Sequence, residues 1–288
     1  MIPALVLTAG LATRLRPLSH LRAKAALPVA GVPMIGRILR WLAAAGVRST
    51  VLNLHHLPHT IAEVVGDGTE FGLAVRYSWE PAVLGSAGGP RRALEFLAAP
   101  EFLIVNGDTL TEVDLPALVS AHEQSGALVT MALTPNTAPE KYGGMLMEPD
   151  GRITGVVLKG DRTPSFHFVG VQVASARAFA ALPDHVRDET VRRLYPEIIV
   201  RQPGAIRGFV THAEFCDIGT PRDYLEASLA FAARESYPMP GSNILWENAR
   251  IEDGAHVERC ILTAGVTVPA GARLSNVIVQ EGMVTTPL

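Results

Sequence analysis

Apolar and polar positions switch between two periods along the first half of the chain. Ile2 to Leu7 is an apolar run of strand length, the pattern of a buried first strand. Ile35, Ile38, Leu39 and Leu42 then recur at helical spacing, and Gly46 closes that run. Ser49 to Leu54 reads as a strand, Ile61, Val64 and Val65 as a helix stopped by Gly66-Asp67-Gly68, and Ala74 to Trp79 as another strand. A helix from Arg91 to Leu97 is predicted behind Gly88-Gly89-Pro90, and Phe102 to Val105 is a buried strand running into Asn106-Gly107-Asp108. This repetition predicts an α/β domain with a Rossmann-like, doubly wound, mostly parallel sheet. Ligands of such sheets sit at the carboxyl ends of the strands, and Gly10 and Asp108 both fall there.

From about Leu128 the pattern shifts to short strands: Leu128 to Leu133, Gly144 to Met147, Ile153 to Leu158 and Phe168 to Val173. They predict a β-rich insertion that carries a second substrate. A helix follows from Pro221, at its first position, to Arg234. Ser236 to Ser242 is a linker by composition. Beyond it Ile251 and Val257, Gly265 and Gly271, Val266 and Ala272, and Val268 and Leu274 repeat at six residues, the period of a β-helix. The domains expected are therefore 1–235 and a short left-handed β-helix over 242–288. With about two coils, the latter is read as structural, packing on the main domain or on another subunit as a homo-oligomer.

Bulk properties narrow the partners. A hydrophobic share of 48% with 18% charged residues describes a soluble globular chain, and a net charge of −3 gives no general attraction to nucleic acid or to an anionic membrane. An anionic ligand must be held by a local cluster, such as Arg14, Arg16, Arg22 and Lys24. Two cysteines make no disulfide framework and no metal spacing. His55-His56-Leu57-Pro58-His59 likewise lacks the spacing of zinc motifs and reads as a polar loop. Without a charged leader or a membrane-length apolar stretch, a cytoplasmic protein is expected.

The chemistry concentrates in Leu7-Thr8-Ala9-Gly10-Leu11-Ala12-Thr13-Arg14-Leu15-Arg16-Pro17-Leu18, with Lys24-Ala25-Ala26-Leu27-Pro28-Val29 shortly after. Small residues after a buried strand let backbone N–H groups approach phosphates or a base edge, and the cations neutralise charge that builds up in transfer. No Gly-Lys-Ser/Thr follows the turn, so this is not a Walker A loop. The pair of segments resembles the signature of the sugar-1-phosphate nucleotidyltransferases, the NDP-sugar pyrophosphorylases: G-x-G-T-R-L-x-P-L-T followed by K-P-x-x-P-V. Ala12 stands in place of the second glycine, where its methyl group crowds the backbone unless φ is negative.

Further motifs carry the same resemblance. On residues alone, Asp108 is either a metal carboxylate or a turn aspartate, and Asp217 in Phe215-Cys216-Asp217-Ile218-Gly219-Thr220-Pro221 either completes a metal site or shapes the turn. The resemblance implies that both hold catalytic Mg²⁺, with Arg14 stabilising the leaving pyrophosphate and Lys24 bridging the reacting phosphates. Leu84 to Gly89 matches the family's L-G-T-A-G-A stretch. The implied nucleotide site is therefore Leu7, Ala9, Gly10, Leu11, Ala12, Thr13, Gly85 and Gly88, with Glu80 either a guanine acceptor or an exposed strand-end residue. Tyr142, Gly143, Lys159 and Gly170 are the implied sugar contacts. Leu158 replaces the family's sugar-gripping glutamate, and Phe168 replaces an asparagine. The layout resembles the mannose-1-phosphate guanylyltransferase branch, so GTP and mannose 1-phosphate are the expected substrates. UTP or dTTP with glucose 1-phosphate or N-acetylmuramic acid 1-phosphate is the alternative, and a non-catalytic NDP-sugar sensor the other class.

Overall fold

The computed structural model describes residues 1–281 and 283–288. Strand β1 (Ala4–Leu7) leads through a two-residue hairpin, β2 (Pro28–Val29) and β3 (Val32–Pro33), into α1 (Met34–Ala44). Then come β4 (Ser49–Leu54), α2 (Pro58–Val65), β5 (Ala74–Trp79), α3 (Gly85–Leu97) and β6 (Glu101–Asn106). Strand β1 lies between β4 and β6, parallel to both, and β5 extends the parallel set. Because side chains alternate across a strand, Ala4 and Val6 enter one core with α1 and α2, while Leu5 enters a second core with α3. The sheet is thus covered on both faces, as the alternation of elements predicts.

The second half builds on the same sheet. Strand β7 (Thr109–Thr111) is followed by α4 (Leu115–Ser125), β8 (Val129–Pro135), the hairpin β9 (Gly144–Met147) and β10 (Ile153–Val157), and the long β11 (Phe166–Ser175). After α5 (Tyr195–Arg201) come β12 (Ile206–Val210), β13 (Phe215–Asp217) and α6 (Pro221–Glu235). The strands expected to form a separate insertion are instead part of the centre. Strand β11 pairs antiparallel with β6 and with β8, β12 joins β8, and only β9 and β10 run on to the edge. Among the described residues they complete a nine-stranded sheet.

Helix α3 also differs from expectation, starting at Gly85 rather than near Arg91. Its glycines are poor helix formers, but tertiary packing requires them. A Cβ on Gly85 would stand 2.5 Å from the Asp188 carbonyl oxygen, and one on Gly88 2.4 Å from that of Val186. Packing overrides propensity here.

Beyond α6, the strands β14 (Ile244–Leu245), β15 (Arg250–Ile251), β16 (His256–Glu258), β17 (Ile261–Leu262), β18 (Thr267–Val268), β19 (Arg273–Ser275) and β20 (Val277–Gln280) form parallel ladders. Ile244 pairs with Ile261 and Ile261 with Ile278, Ile251 with Val268, and Val257 with Leu274, so each step returns the chain after seventeen residues. The six-residue repeats are successive faces of this coil, and one face per step is a residue shorter. Leu262, Val268 and Val279 fill its small core, with Ile251, Val257 and Leu274 against it. Ile244, Trp246, Ile261 and Ile278 share the main core with Tyr224 of α6. The Tyr224 hydroxyl donates to the Pro28 carbonyl at 2.6 Å and accepts the Trp246 indole N–H at 3.1 Å. Arg22 caps this joint, its guanidinium 4.6 Å from the Trp246 ring and ion-paired with Glu247.

Candidate active site

A cavity of about 480 Å³ opens at the carboxyl ends of β1 and β6. Its walls include Leu7 to Arg14, Lys24, Glu80, Gly85 and Asp108, which gathers most of the residues expected to bind nucleotide. The loop after β1 turns sharply at Ala12, whose φ of +48° and ψ of +42° are left-handed. A negative φ is therefore not how the methyl group is tolerated. The alanine adopts the conformation a glycine would take freely, at a cost of roughly 1–2 kcal/mol.

At one end of the cavity Lys24 Nζ donates to Asp108 Oδ2 at 2.8 Å, with the lysine side chain only 13% exposed. Strand β13 brings in the second carboxylate: Asp217 pairs with Thr109 across the β7–β13 ladder, and the Ile218 N–H donates to the Asp108 carbonyl at 3.1 Å. Burial pushes the Asp217 carboxyl above its usual pKa, and the neighbouring Asp108 charge pushes it further, while Lys24 opposes both. Two carboxylates that repel one another beside a cavity large enough for a nucleotide suit Mg²⁺, which takes one or two carboxylates and completes its shell with phosphate oxygens and water. Among the described residues no cluster of three or more acidic, histidine or cysteine ligands exists, so a metal here would rely on the substrate for its remaining ligands. Arg14 lies across the Asp217-Ile218-Gly219-Thr220 turn, its guanidinium nitrogens 3.2 and 3.3 Å from where a Cβ on Gly219 would stand. Thr220 caps α6 by accepting from the Asp223 N–H at 3.1 Å, and Pro221 fits the first helical turn, so Asp217 is fixed by a rigid turn as well.

The other end is built around Glu80, which is fully buried rather than exposed at a strand end. Its Oε1 accepts from Asn53 Nδ2 at 2.7 Å and its Oε2 from the Leu84 N–H at 2.9 Å. Asn53 Oδ1 in turn accepts the Thr8 N–H at 2.6 Å. Burial raises the Glu80 pKa, and these two donors oppose the rise. Gly89 passes so close that a Cβ would stand 2.9 Å from Asn53 Nδ2 and 3.0 Å from Glu80 Oε1. Gly88 lies beneath the Val186 carbonyl and does not line the cavity.

These features together locate a site at sheet ends, with cations and paired carboxylates at one end and a hydrogen-bonded pocket at the other. Residues 3–234 match the nucleotidyl transferase family. The chain belongs to that family. It is similar to a mannose-1-phosphate guanylyltransferase of Mycobacterium tuberculosis (27% identical, covering 98% of this chain and 80% of the relative). It is also similar to an N-acetylmuramate α-1-phosphate uridylyltransferase of Neisseria meningitidis (34% identical, covering 67% of this chain and 82% of the relative). Its fold matches that of HddC from Yersinia pseudotuberculosis complexed with GMP-PN (TM-score 0.70, 24% identical, 80% of this chain and 100% of the other).

In this nucleotidyl transferase the expected sugar residues gather less tightly. Tyr142 packs at a tilt against His167, 4.1 Å between ring centroids, and His167 likewise against Phe215 at 5.0 Å, beside a smaller cavity of about 270 Å³. Gly143 lies against the backbone of Val157 to Lys159, and Gly170 (φ +81°) lets β11 pass Asn106, where a Cβ would stand 3.0 Å from the asparagine amide nitrogen. The Lys159 side chain is exposed and lines neither cavity, and Leu158 is 77% exposed. Phe168 pairs with Leu133 in the sheet. His55 and His56 bond the Glu80 and Ser19 carbonyls at 2.8 and 2.6 Å, which ties that loop to the strand end and to the turn before Lys24. Sequence reasoning missed Asn53 and Arg187, both of which line the main cavity. Asn53 had a signal, a polar residue interrupting an otherwise apolar strand; Arg187 had none.

Proposed function

We propose that the protein transfers a nucleoside monophosphate from GTP to mannose 1-phosphate, releasing pyrophosphate and an NDP-sugar. The observation that carries this reading is the polarity of the cavity, with Lys24, Arg14 and Asp108 lining one end, Asp217 behind Asp108 on the neighbouring strand, and the buried Glu80 carboxylate at the other. A carboxylate has about four acceptor sites, of which Glu80 uses two internally. The remainder match the N1–H and N2–H donors of guanine, whereas uracil offers a single N–H. The coverage of the mycobacterial relative supports the same choice of substrates.

At the other end, Lys24 would meet the α-phosphate and the sugar phosphate, and Arg14 the leaving pyrophosphate. The sugar phosphate is already ionised, so no general base is needed, and catalysis rests on positioning and charge neutralisation. Bound by Asp108 and Asp217, Mg²⁺ would supply charge neutralisation at the transferring phosphate. Tyr142, Gly143, Lys159 and Gly170 are proposed on the sugar side. We further propose that the coil is a short left-handed β-helix with a structural role, that residues 1–235 form the catalytic domain, and that the protein works in the cytoplasm. Self-association through the coil is part of the proposal and is read by light scattering with and without residues 242–288. No helix among the described residues is long and apolar enough to cross a membrane.

Two observations favour a second reading, uridylyl transfer to N-acetylmuramate 1-phosphate. Leu158 points to solvent where the resemblance places a sugar-gripping glutamate, and the Neisseria relative is the more identical of the two. Pyrophosphate release with Mg²⁺ over GTP, UTP, dTTP and ATP and a panel of sugar 1-phosphates decides between them. Release with GTP and mannose 1-phosphate, abolished by Asp108→Asn while NDP-sugar binding persists, is the expected result. Release only with UTP transfers the protein to the second reading, and silence with tight NDP-sugar binding makes it a sensor.

A further inference from the structure

Arg187 is a cation of the main cavity that the reaction scheme leaves unused. It shares the cavity lining with Glu80, Gly85 and Ser86. The N–H of the next residue, Asp188, donates to the carbonyl of Leu84, whose own N–H is bound by Glu80, so the Arg187 backbone belongs to the Glu80 side and not to the strand end that carries Asp108. A nucleoside triphosphate must put its phosphates at the end with the cations and paired carboxylates, because the opposite orientation would leave that charge unmatched. The base then lies at the end where Arg187 stands.

The segment carrying Arg187 is firmly anchored. The Asp188 carbonyl accepts from the Ala87 and Gly88 N–H groups at 2.9 and 3.3 Å, and its N–H donates to the Leu84 carbonyl at 2.8 Å. The buried Asp188 carboxylate pairs with Arg193, and Ser86 Oγ donates to Glu189 Oε2 at 2.9 Å. Glycines 85 and 88 make room for this docking, since any Cβ there would collide with the segment's carbonyls. The guanidinium itself is not committed. It is 70% exposed and, among the described residues, held by Glu189 Oε1 at 3.4 Å alone, so most of its five N–H donors are available to a ligand.

We infer that Arg187 is a specificity residue that grips the O6/N7 edge of a guanine base. An arginine fork matches those two adjacent acceptors, whereas adenine presents an amino donor beside N7 and uracil lacks N7 altogether. Glu80 addresses the opposite edge, so the two residues read separate sides of the ring. The inference rests on the GTP reading above and extends it.

The test is kcat/KM of the full-length enzyme with Mg²⁺ for GTP, 7-deaza-GTP, which has carbon at position 7, and ITP, which lacks the 2-amino group. Wild type is expected to prefer GTP over 7-deaza-GTP by about tenfold or more. Arg187→Ala loses that preference, mainly through KM, while keeping the wild-type ratio of GTP to ITP. Arg187→Lys falls between them, and a melting temperature near that of wild type shows that both variants fold. If Arg187→Ala keeps the preference, or slows GTP and 7-deaza-GTP equally, the assignment is overturned and Arg187 serves the phosphates or the fold. A wild type that turns over no guanine nucleotide brings down the GTP reading itself, and this inference with it, before any variant is measured.

Discussion

The Glu80→Gln substitution tests the hydrogen-bonded end of the cavity most sharply. A relay runs from the Thr8 N–H to Asn53 Oδ1, from Asn53 Nδ2 to Glu80 Oε1, and from the Leu84 N–H to Glu80 Oε2. Both ends of that relay are backbone donors, which cannot turn round. Asn53 passes the pattern on with one acceptor and one donor, so residue 80 must accept at both of its terminal atoms. Glutamine has the same shape but only one acceptor atom. Flipping its amide moves the conflict from Leu84 to Asn53, and flipping Asn53 as well moves it to Thr8. One buried donor is orphaned in every arrangement, at about 1–3 kcal/mol. For a chain of this size that lowers the melting temperature by roughly 2–4 °C per kcal/mol. Differential scanning calorimetry of wild type and variant at pH 7, with kcat/KM for GTP measured alongside, is the assay. A Glu80→Gln protein that melts within about 1 °C of wild type and turns over GTP normally would refute both the relay and the base contact.

Three further outcomes are expected. Tyr224→Phe removes a hydroxyl that serves two buried partners, Pro28 and Trp246, and should cost about 1–3 kcal/mol in chemical denaturation; an unchanged midpoint would show that the joint carries no energy. Ala12→Gly releases the left-handed strain of roughly 1–2 kcal/mol but adds about 0.5–1 kcal/mol of chain entropy to the unfolded state, so a net gain of up to about 1.5 kcal/mol is expected, and a loss contradicts the strain argument. Burial, aided by the Lys141 charge, holds the His167 pKa below its usual value, against a hydrogen bond to the Gly143 backbone. The native state therefore resists protonation: this contribution to stability is complete above the unfolded pKa of about 6.5 and is lost as pH falls through the lowered native value. Melting temperatures between pH 7.5 and 5.5 should fall more steeply for wild type than for His167→Gln, and parallel curves would count against it.

Much of the site was legible because its parts sit where strand ends meet loops. The loop from Gly10 to Arg14, Lys24, Asp108 and Asp217 were each marked by a motif, and the sheet brings them together. What escaped the sequence depended on tertiary partners. Glycines at 85, 88 and 89 look like a loop until the carbonyls of Val186 and Asp188 arrive beside two of them. Strands β8, β11 and β12 have the period of any strand, and period alone does not reveal that β11 will pair with β6. Ala12 showed a missing glycine but not the sign of its φ, which only the backbone decides. Arg187 belongs to an exposed stretch with no periodicity, and its place at the cavity follows from the docking of Asp188.

Tyr224 joins three parts of the chain that the sequence keeps far apart: the segment that begins at Lys24, the helix that follows Asp217, and the first rung of the coil. One hydroxyl therefore acts as a tie-bar between the tail and the two segments that carry the proposed phosphate-binding residues. Linkage works in both directions across such a joint. To the extent that a ligand fixing Lys24 against Asp217 tightens the seating of the tail, a tail that works loose weakens the hold on that ligand by the same free energy.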